Sequence, residues 1–287
     1  MIHLVHHALF LARLFIMTQN HPPVVLTFAA SDPTGGAGAQ ADILTLTSMG
    51  CLALSVLTAI TAQDTVGVEN YWPLDADWIS DQARCLLEDI PVAAFKVGMV
   101  GSMAAAAAIA SIVADYPDVP LVFDPVLASG RGDDLSDEDT LSAIVDLLIP
   151  QTTVLTPNTL ELRNLVREFS PGDEDDDLAK CAGVLLGSGC EYVLVTGTHE
   201  PVPQVINTLY GQGGMVRQDA WNRLPGSYHG SGCTLAAAIA ATLARKMSVV
   251  EGVYEAQAFT YESLRAGFRP GMGQFIPNRL YWADWGA

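Results

Sequence analysis

Residues 230–234 read Gly-Ser-Gly-Cys-Thr and run straight into LAAAIAATLA. Consecutive small residues at a helix start leave backbone N–H groups exposed, and the helix field favours an anion there, so no lysine is required. Gly230, Ser231, Gly232 and Cys233 are therefore read as an anion hole. Cys233 falls in the first helical turn, where the field is expected to lower a thiol's pKa; alone it would read as a small buried hydrophobe. Asp124-Pro125-Val126 and Thr156-Pro157-Asn158-x-x-Glu161 each follow a short apolar run. Carboxylates at strand ends suit Mg²⁺, which keeps several waters and takes few protein ligands, so Asp124 and Glu161 are candidate metal ligands. The same Asn158–Glu161 spacing makes a helix cap, and both readings hold together.

Two loops nearer the N-terminus add to this set. Gln63 ends the stretch Thr61-Ala62-Gln63, and its amide offers a donor beside an acceptor, the complement of an aminopyrimidine edge. Taken alone, such a glutamine is more often structural. Ser31–Gln40 (SDPTGGAGAQ) follows a strand-like run, and Gly36-Ala-Gly38-Ala-Gln-Ala41 matches G-x-G-x-x-A formally. Four residues separate run from glycines, and no acid ends the second run, so a dinucleotide site is disfavoured. A simple tight turn is the competing reading.

The elements that must carry these loops alternate along the chain. Val24–Ala30, Leu52–Ile60, Ala94–Met99, Leu121–Phe123, Thr153–Leu155 and Tyr192–Val195 are short apolar runs without polar alternation. Helical spacing fills 37–49, 75–89, 102–115, 137–148, 160–169 and 178–188 between them. Doubly apolar strands separated by helices predict a mostly parallel sheet covered on both faces, in an α/β domain. In such sheets the ligand sits at the C-terminal strand ends, where these loops lie. Val205–Tyr210 and Met215–Ala220 flank Gly211–Gly214 and predict an antiparallel hairpin; two long helices, about 233–246 and 249–267, follow.

The chain has 287 residues, half of them hydrophobic, with 14 Lys+Arg against 32 Asp+Glu and a net charge of −18. That acidity excludes a sequence-independent nucleic-acid binder. Its lysines are Lys96, Lys180 and Lys246, so a phosphate site must lean on amides, arginines or a metal. Five cysteines form no CxxC pair, which fits a reducing cytoplasm. No apolar run reaches the roughly 18–20 residues of a membrane span. Residues 1–20 are read as an extension, disordered or lying before a true start at Met17, and 21–287 as a single domain. Pro171–Asp177 (PGDEDDD) is read as a solvated acidic loop.

The motifs SDPTGGAGAQAD, LTAITAQDT, KVGMVGS, FDPVLAS, TPNTLE and HGSGCTLAAAIAA, in this order, resemble hydroxymethylpyrimidine/phosphomethylpyrimidine kinases of thiamine biosynthesis, in the ribokinase-like superfamily. The resemblance spans about residues 24–267. It implies a three-layer α/β/α sandwich with a mostly parallel central sheet, ATP with Mg²⁺, a small pyrimidine substrate and commonly a homodimer. It places Ala30, Gln63, Met99 and Val126 around the pyrimidine and Asp42 near the substrate's phosphate path. Asn158, Glu161 and Thr196 fall on the ATP side. Cys233 falls where sugar kinases of the superfamily carry an aspartate base. Three positions depart from the pattern: Ala30 replaces glycine, and Thr196 and Gln257 stand where lysines are usual. Arg131 or Arg265 are the candidates to replace those lysines. The ending FRPGMGQFIPNRLYWADWGA lies beyond the motifs and has no assigned role. A pyridoxal or sugar kinase, or a catalytically silent nucleotide-binding regulator, are the competing expectations.

Overall fold

The computed structural model describes residues 21–127, 135–169, 177–200 and 202–283. The extension 1–20, the acidic loop at 171–176 and Arg131 lie outside them. Among the described residues, nine strands form one sheet in the order β3-β2-β1-β4-β5-β6-β7-β8-β9. They are β1 Val24–Ser31, β2 Leu52–Gln63, β3 Val68–Pro73, β4 Ala94–Val97, β5 Leu121–Phe123, β6 Val154–Leu155, β7 Tyr192–Thr196, β8 Gln204–Gly211 and β9 Gly214–Asn222. The six strands from β2 to β7 pair in parallel, whereas β3 and the β8–β9 hairpin run antiparallel at the two ends. The helices are α1 Gly38–Ser48, α2 Ala76–Asp89, α3 Met103–Ala114, α4 Glu138–Ala143, α5 Thr159–Phe169, α6 Leu178–Gly187, α7 Ser231–Ala244 and α8 Val249–Arg265.

The strands lack polar alternation because both faces are covered. Leu26, Phe95, Phe123, Leu155 and Val193 point into a core closed by α2 to α6. Their neighbours Val25, Ala94, Val122, Val154 and Leu194 point into a second core closed by α1, α7 and α8. On that side small side chains meet. Ala236, Ala237, Ala238, Ala240 and Ala241 of α7 are fully buried, so the helix lies close against the sheet. This close seat brings the α7 N-terminus to the ends of the central strands.

Strand β3 and the continuation of β2 to Gln63 are additions to the sequence reading. The segment 68–73 is half exposed, and only Val68 and Tyr71 pack inward, against the small cluster of Ala30, Ala59, Met99 and Leu135. A six-residue edge strand with so little buried leaves no clear pattern. In the predicted helix 137–148, α4 ends at Ala143 and a π-helical turn continues over Ile144–Leu148.

A close backbone approach joins two loops. Gly230 adopts φ +78°, and a Cβ there would lie 1.9 Å from the Gly36 carbonyl oxygen. Gly230→Ala is expected to lower stability by at least 1–3 kcal/mol, the approximate cost of a left-handed non-glycine residue, with the clash added. Denaturant unfolding checks this; an unchanged midpoint would mean that the loops separate freely.

Candidate active site

The strand ends open into a cleft of about 610 Å³. The apolar end is walled by Ala30, Met99, Val126, Leu135 and Val68, with Gln63 at its edge. Gln63 Nε2 donates to Thr61 Oγ1 at 2.7 Å, and that hydroxyl donates to the Ser31 carbonyl, so the amide is held in one orientation. The methyl group of Ala30 is buried in this wall.

At the centre, Gly230 to Cys233 begin α7. The Cys233 sulfur faces the amide of Gly38, the first residue of α1, so two helix N-termini converge on it. The expectation of a lowered thiol pKa is nevertheless corrected. Burial pushes the thiol up to about 12, and the Asp124 and Asp42 carboxylates push the same way against Lys96. The residue keeps part of its surface exposed to the open cleft, and water there tempers that shift. Burial is the largest influence on the thiol.

Lys96 is fully buried, and its Nζ donates to Asp42 Oδ2 at 2.9 Å. Burial alone would lower its pKa, but Asp42, then Cys233 and Asp124, outweigh it and hold the ammonium charged. Asp42 is therefore a correction: it faces inward to Lys96 and Thr27, has no exposed surface, and does not line the cleft. Position 42 lies on the buried face of α1, which sequence order alone does not reveal.

Opposite the anion loop stand Asp124 and Glu161. Glu161 Oε2 accepts from the Asn158 amide, while Asn158 Oδ1 accepts from the amides of Leu160 and Glu161, all at 2.9 Å. This reciprocal cap aims Glu161 at Asp124. Burial first, and for Glu161 the neighbouring Asp124 next, raise both carboxyls, Asp124 to about 6 and Glu161 to about 8. Two carboxyls that resist losing their protons together form a donor pair that a divalent cation would relieve. Among the described residues no group of three or more His, Cys, Asp or Glu is placed to hold a metal ion. That sparse set fits Mg²⁺, which completes its shell with water and phosphate oxygens.

Thr196 lies next to Asn158, its amide donating to the Pro157 carbonyl at 2.9 Å. Gln257 is buried, accepting from Asn207 Nδ2 and Trp221 Nε1 and donating to Asp219. No cation occupies either position. Arg265 is exposed on α8 and bonded to Glu262, away from the cleft.

Three contributors have no role in the sequence reading. Asp32 accepts from the amides of Thr34 and Ala37 and pairs with His229 at 2.8 Å. Burial alone would raise its carboxyl, yet these bonds, led by His229, hold it below the usual range. Lys96 appears in KVGM, but its partner is remote in sequence. Arg279 belongs to the C-terminal segment. That segment crosses the cleft's rim: Gly273 and Gln274 donate to Thr65, and Phe275 exchanges backbone bonds with Ser227 and His229.

Because Glu161 carries a raised pKa when folded, its contribution to stability is full below about 4.3, the unfolded value. It is lost as pH rises through about 8. Glu161→Gln is expected to flatten this decline and to be more stable than the parent at pH near 8. Urea midpoints of both proteins, without added metal, at acidic and alkaline pH decide it; a parent equally stable at the alkaline end would mean that water solvates Glu161.

A family model described as phosphomethylpyrimidine kinase matches residues 32–278. The hydroxymethylpyrimidine/phosphomethylpyrimidine kinase of Streptomyces coelicolor is 38% identical over 256 residues, covering 88% of this chain and 92% of that protein. The protein of the same name from Escherichia coli is 31% identical, covering 83% and 90%. Among solved structures, a Bacillus subtilis pyridoxal kinase in an ADP complex superposes with TM-score 0.81 at 27% identity, covering 91% and 98%. A phosphomethylpyrimidine kinase from Clostridium difficile gives 0.72 at 32%, covering 84% and 98%.

Proposed function

The chain belongs to the phosphomethylpyrimidine kinase family, and we propose that it phosphorylates the hydroxymethyl group of 4-amino-5-hydroxymethyl-2-methylpyrimidine with ATP. We propose further that it extends the monophosphate to the diphosphate, in thiamine biosynthesis. The observation that carries this reading is one cleft in which the Gly230–Cys233 amides face Asp124 and Glu161, with the Gln63–Met99–Val126 pocket alongside.

Phosphoryl transfer asks mainly for positioning and for charge stabilisation around the transferring group. Gln63 orients the aminopyrimidine edge, and Ala30, Met99 and Val126 exclude water around the ring. The substrate hydroxyl then lies toward Cys233. The Gly230–Cys233 amides hold negative charge on the transferring phosphoryl as its bond to the ADP oxygen breaks and its bond to the alcohol oxygen forms, and Cys233, once deprotonated, accepts the alcohol proton. The thiol's own proton must first pass to water in the open cleft, and the buried Lys96 ammonium favours the thiolate that this leaves. Asn158, Glu161 and Thr196 would line the nucleotide's phosphates. Asp124 and Glu161 would hold Mg²⁺, which would supply positive charge to offset the nucleotide's phosphates.

The five cysteines, all free, support a reducing compartment, the cytoplasm, and no helix among the described residues is long and apolar enough to cross a membrane. A homodimer belongs to the same reading, supported by the edge strand β3 and helix α2, which expose Trp72 and Trp78. The likeness to pyridoxal kinases favours pyridoxal as the second substrate to be tried.

ATP consumption with hydroxymethylpyrimidine, its monophosphate, pyridoxal and ribose tests the assignment. The pyrimidine alcohol is expected to be preferred, and turnover of pyridoxal or ribose alone would replace it. ATP binding without any turnover would make the protein a nucleotide-binding regulator. Cys233→Ala is expected to keep the fold and ATP binding while lowering kcat by roughly 10²–10⁴, the range of a general base; unchanged kcat would remove the base assignment.

The monophosphate brings about two further negative charges to a cleft already holding ATP. Uncharged Thr196 and Gln257 offset none of them. Its kcat/KM is expected to fall below that of the alcohol, and equal values would show that another cation compensates.

A further inference from the structure

One side chain fastens the glycine loop to the anion loop, and it lies one residue beyond the span that the family model matches. Arg279 is 2% exposed. Its Nη2 donates to the Gly36 carbonyl at 2.5 Å and reaches the Gly230 carbonyl at 3.5 Å, and its Nη1 donates to Gly35 at 3.3 Å. Nε donates to Thr234 Oγ1 at 3.1 Å, and that hydroxyl donates to the Gly230 carbonyl at 2.7 Å. A rigid guanidinium fork can serve such separated acceptors at once, whereas an ammonium is a single point on a flexible stem.

The bonds fix more than the carbonyls. In a trans peptide the C=O of one residue and the N–H of the next point in opposite directions. With the Gly230 carbonyl turned toward Arg279 and Thr234, the Ser231 N–H turns the other way, toward the cleft that Ser231 lines. The guanidinium stands behind that peptide, and although burial lowers its pKa to about 10, it is charged at neutral pH. Its backbone is pinned separately: the Arg279 carbonyl accepts from Ser48 Oγ at 2.6 Å, and the Asn278 amide donates to Ser263 at 2.9 Å.

We propose that Arg279 is a positioning residue for phosphoryl transfer, locking the two glycine loops together and aiming the Ser231 amide at the transferring phosphoryl. The proposal rests on the kinase reading above. The guanidinium does not contact Gln63, Met99 or Val126, so its loss should spare binding of the alcohol. The amide acts on charge that grows toward the transition state, so the loss should fall on kcat.

Steady-state kinetics of the full chain with ATP and the pyrimidine alcohol test this in Arg279→Lys, Arg279→Ala and Trp282→Phe. Trp282 anchors the same segment through Ser48 but leaves the guanidinium in place. Arg279→Lys and Arg279→Ala are expected to lose about 10²-fold in kcat, the scale of one misdirected oxyanion donor. Their KM for the alcohol should stay within about threefold, the mark of a lost transition-state interaction. Millimolar methylguanidinium should restore part of the rate to Arg279→Ala and none to Arg279→Lys, while Trp282→Phe keeps the parent's kcat. Unaltered kcat in Arg279→Lys, a change confined to KM, no rescue of folded Arg279→Ala, or failure of both variants to fold would each overturn the positioning role. An inactive parent protein would instead overturn the kinase reading and this role with it.

Discussion

Gly230 and Gly36 meet backbone against backbone, and the cleft exists because neither carries a side chain. A Cβ at 230 would overlap the Gly36 carbonyl, and one at 36 would lie 2.4 Å from His229 Cδ2. The contact draws the loop after β1 onto the α7 N-terminus, so that the starts of α1 and α7 both face Cys233. It also turns several carbonyls away from the cleft into the protein, where each needs a donor. Arg279 meets that need, and the Asp32–His229 pair braces the loop from the other side. The C-terminal segment is thus part of the site's framework.

A protein of net charge −18 that handles nucleotide phosphates must place its few cations with care. Here two of them, Lys96 and Arg279, are buried behind the site, each tied to fixed partners. A buried ion pair such as Lys96–Asp42 adds little net stability, because desolvation consumes most of the attraction. Its effect is local: it sets an ammonium beside Cys233 and Asp124. On the other wall, Asp124 and Glu161 are held close by a helix cap, in a state that a divalent cation would relieve. The cleft's charge balance is completed by what enters it.

The same crowding governs Cys233. A helix N-terminus contributes about half an elementary charge spread over several amides. The carboxylates of Asp124 and Asp42 are whole charges acting on the same sulfur, so burial and repulsion prevail over the helix field. A thiol protonated at rest must give up its proton before it can act as the base, and Lys96 is the charge that favours this.

The layered fold was legible because its signal is local: doubly apolar strands, helical spacing and a Gly-Gly turn each lie within ten or so residues. The cleft-lining residues Ala30, Gln63, Met99, Asp124, Asn158, Glu161 and Thr196 were legible too, since each lies at or just beyond the C-terminal end of a parallel strand, and Cys233 was legible from the small residues that open its helix. Only the tertiary structure decided what those residues meet. Asp42 turns inward because α1 presents that face to Lys96, 54 positions away. His229 reaches Asp32 across 197 positions, and Arg279 reaches Gly36 across 243. Periodicity reports which way a residue faces within its own element. Which distant group it faces depends on the sheet order that folds those elements together, and so did the thiol's pKa and the purpose of the last residues.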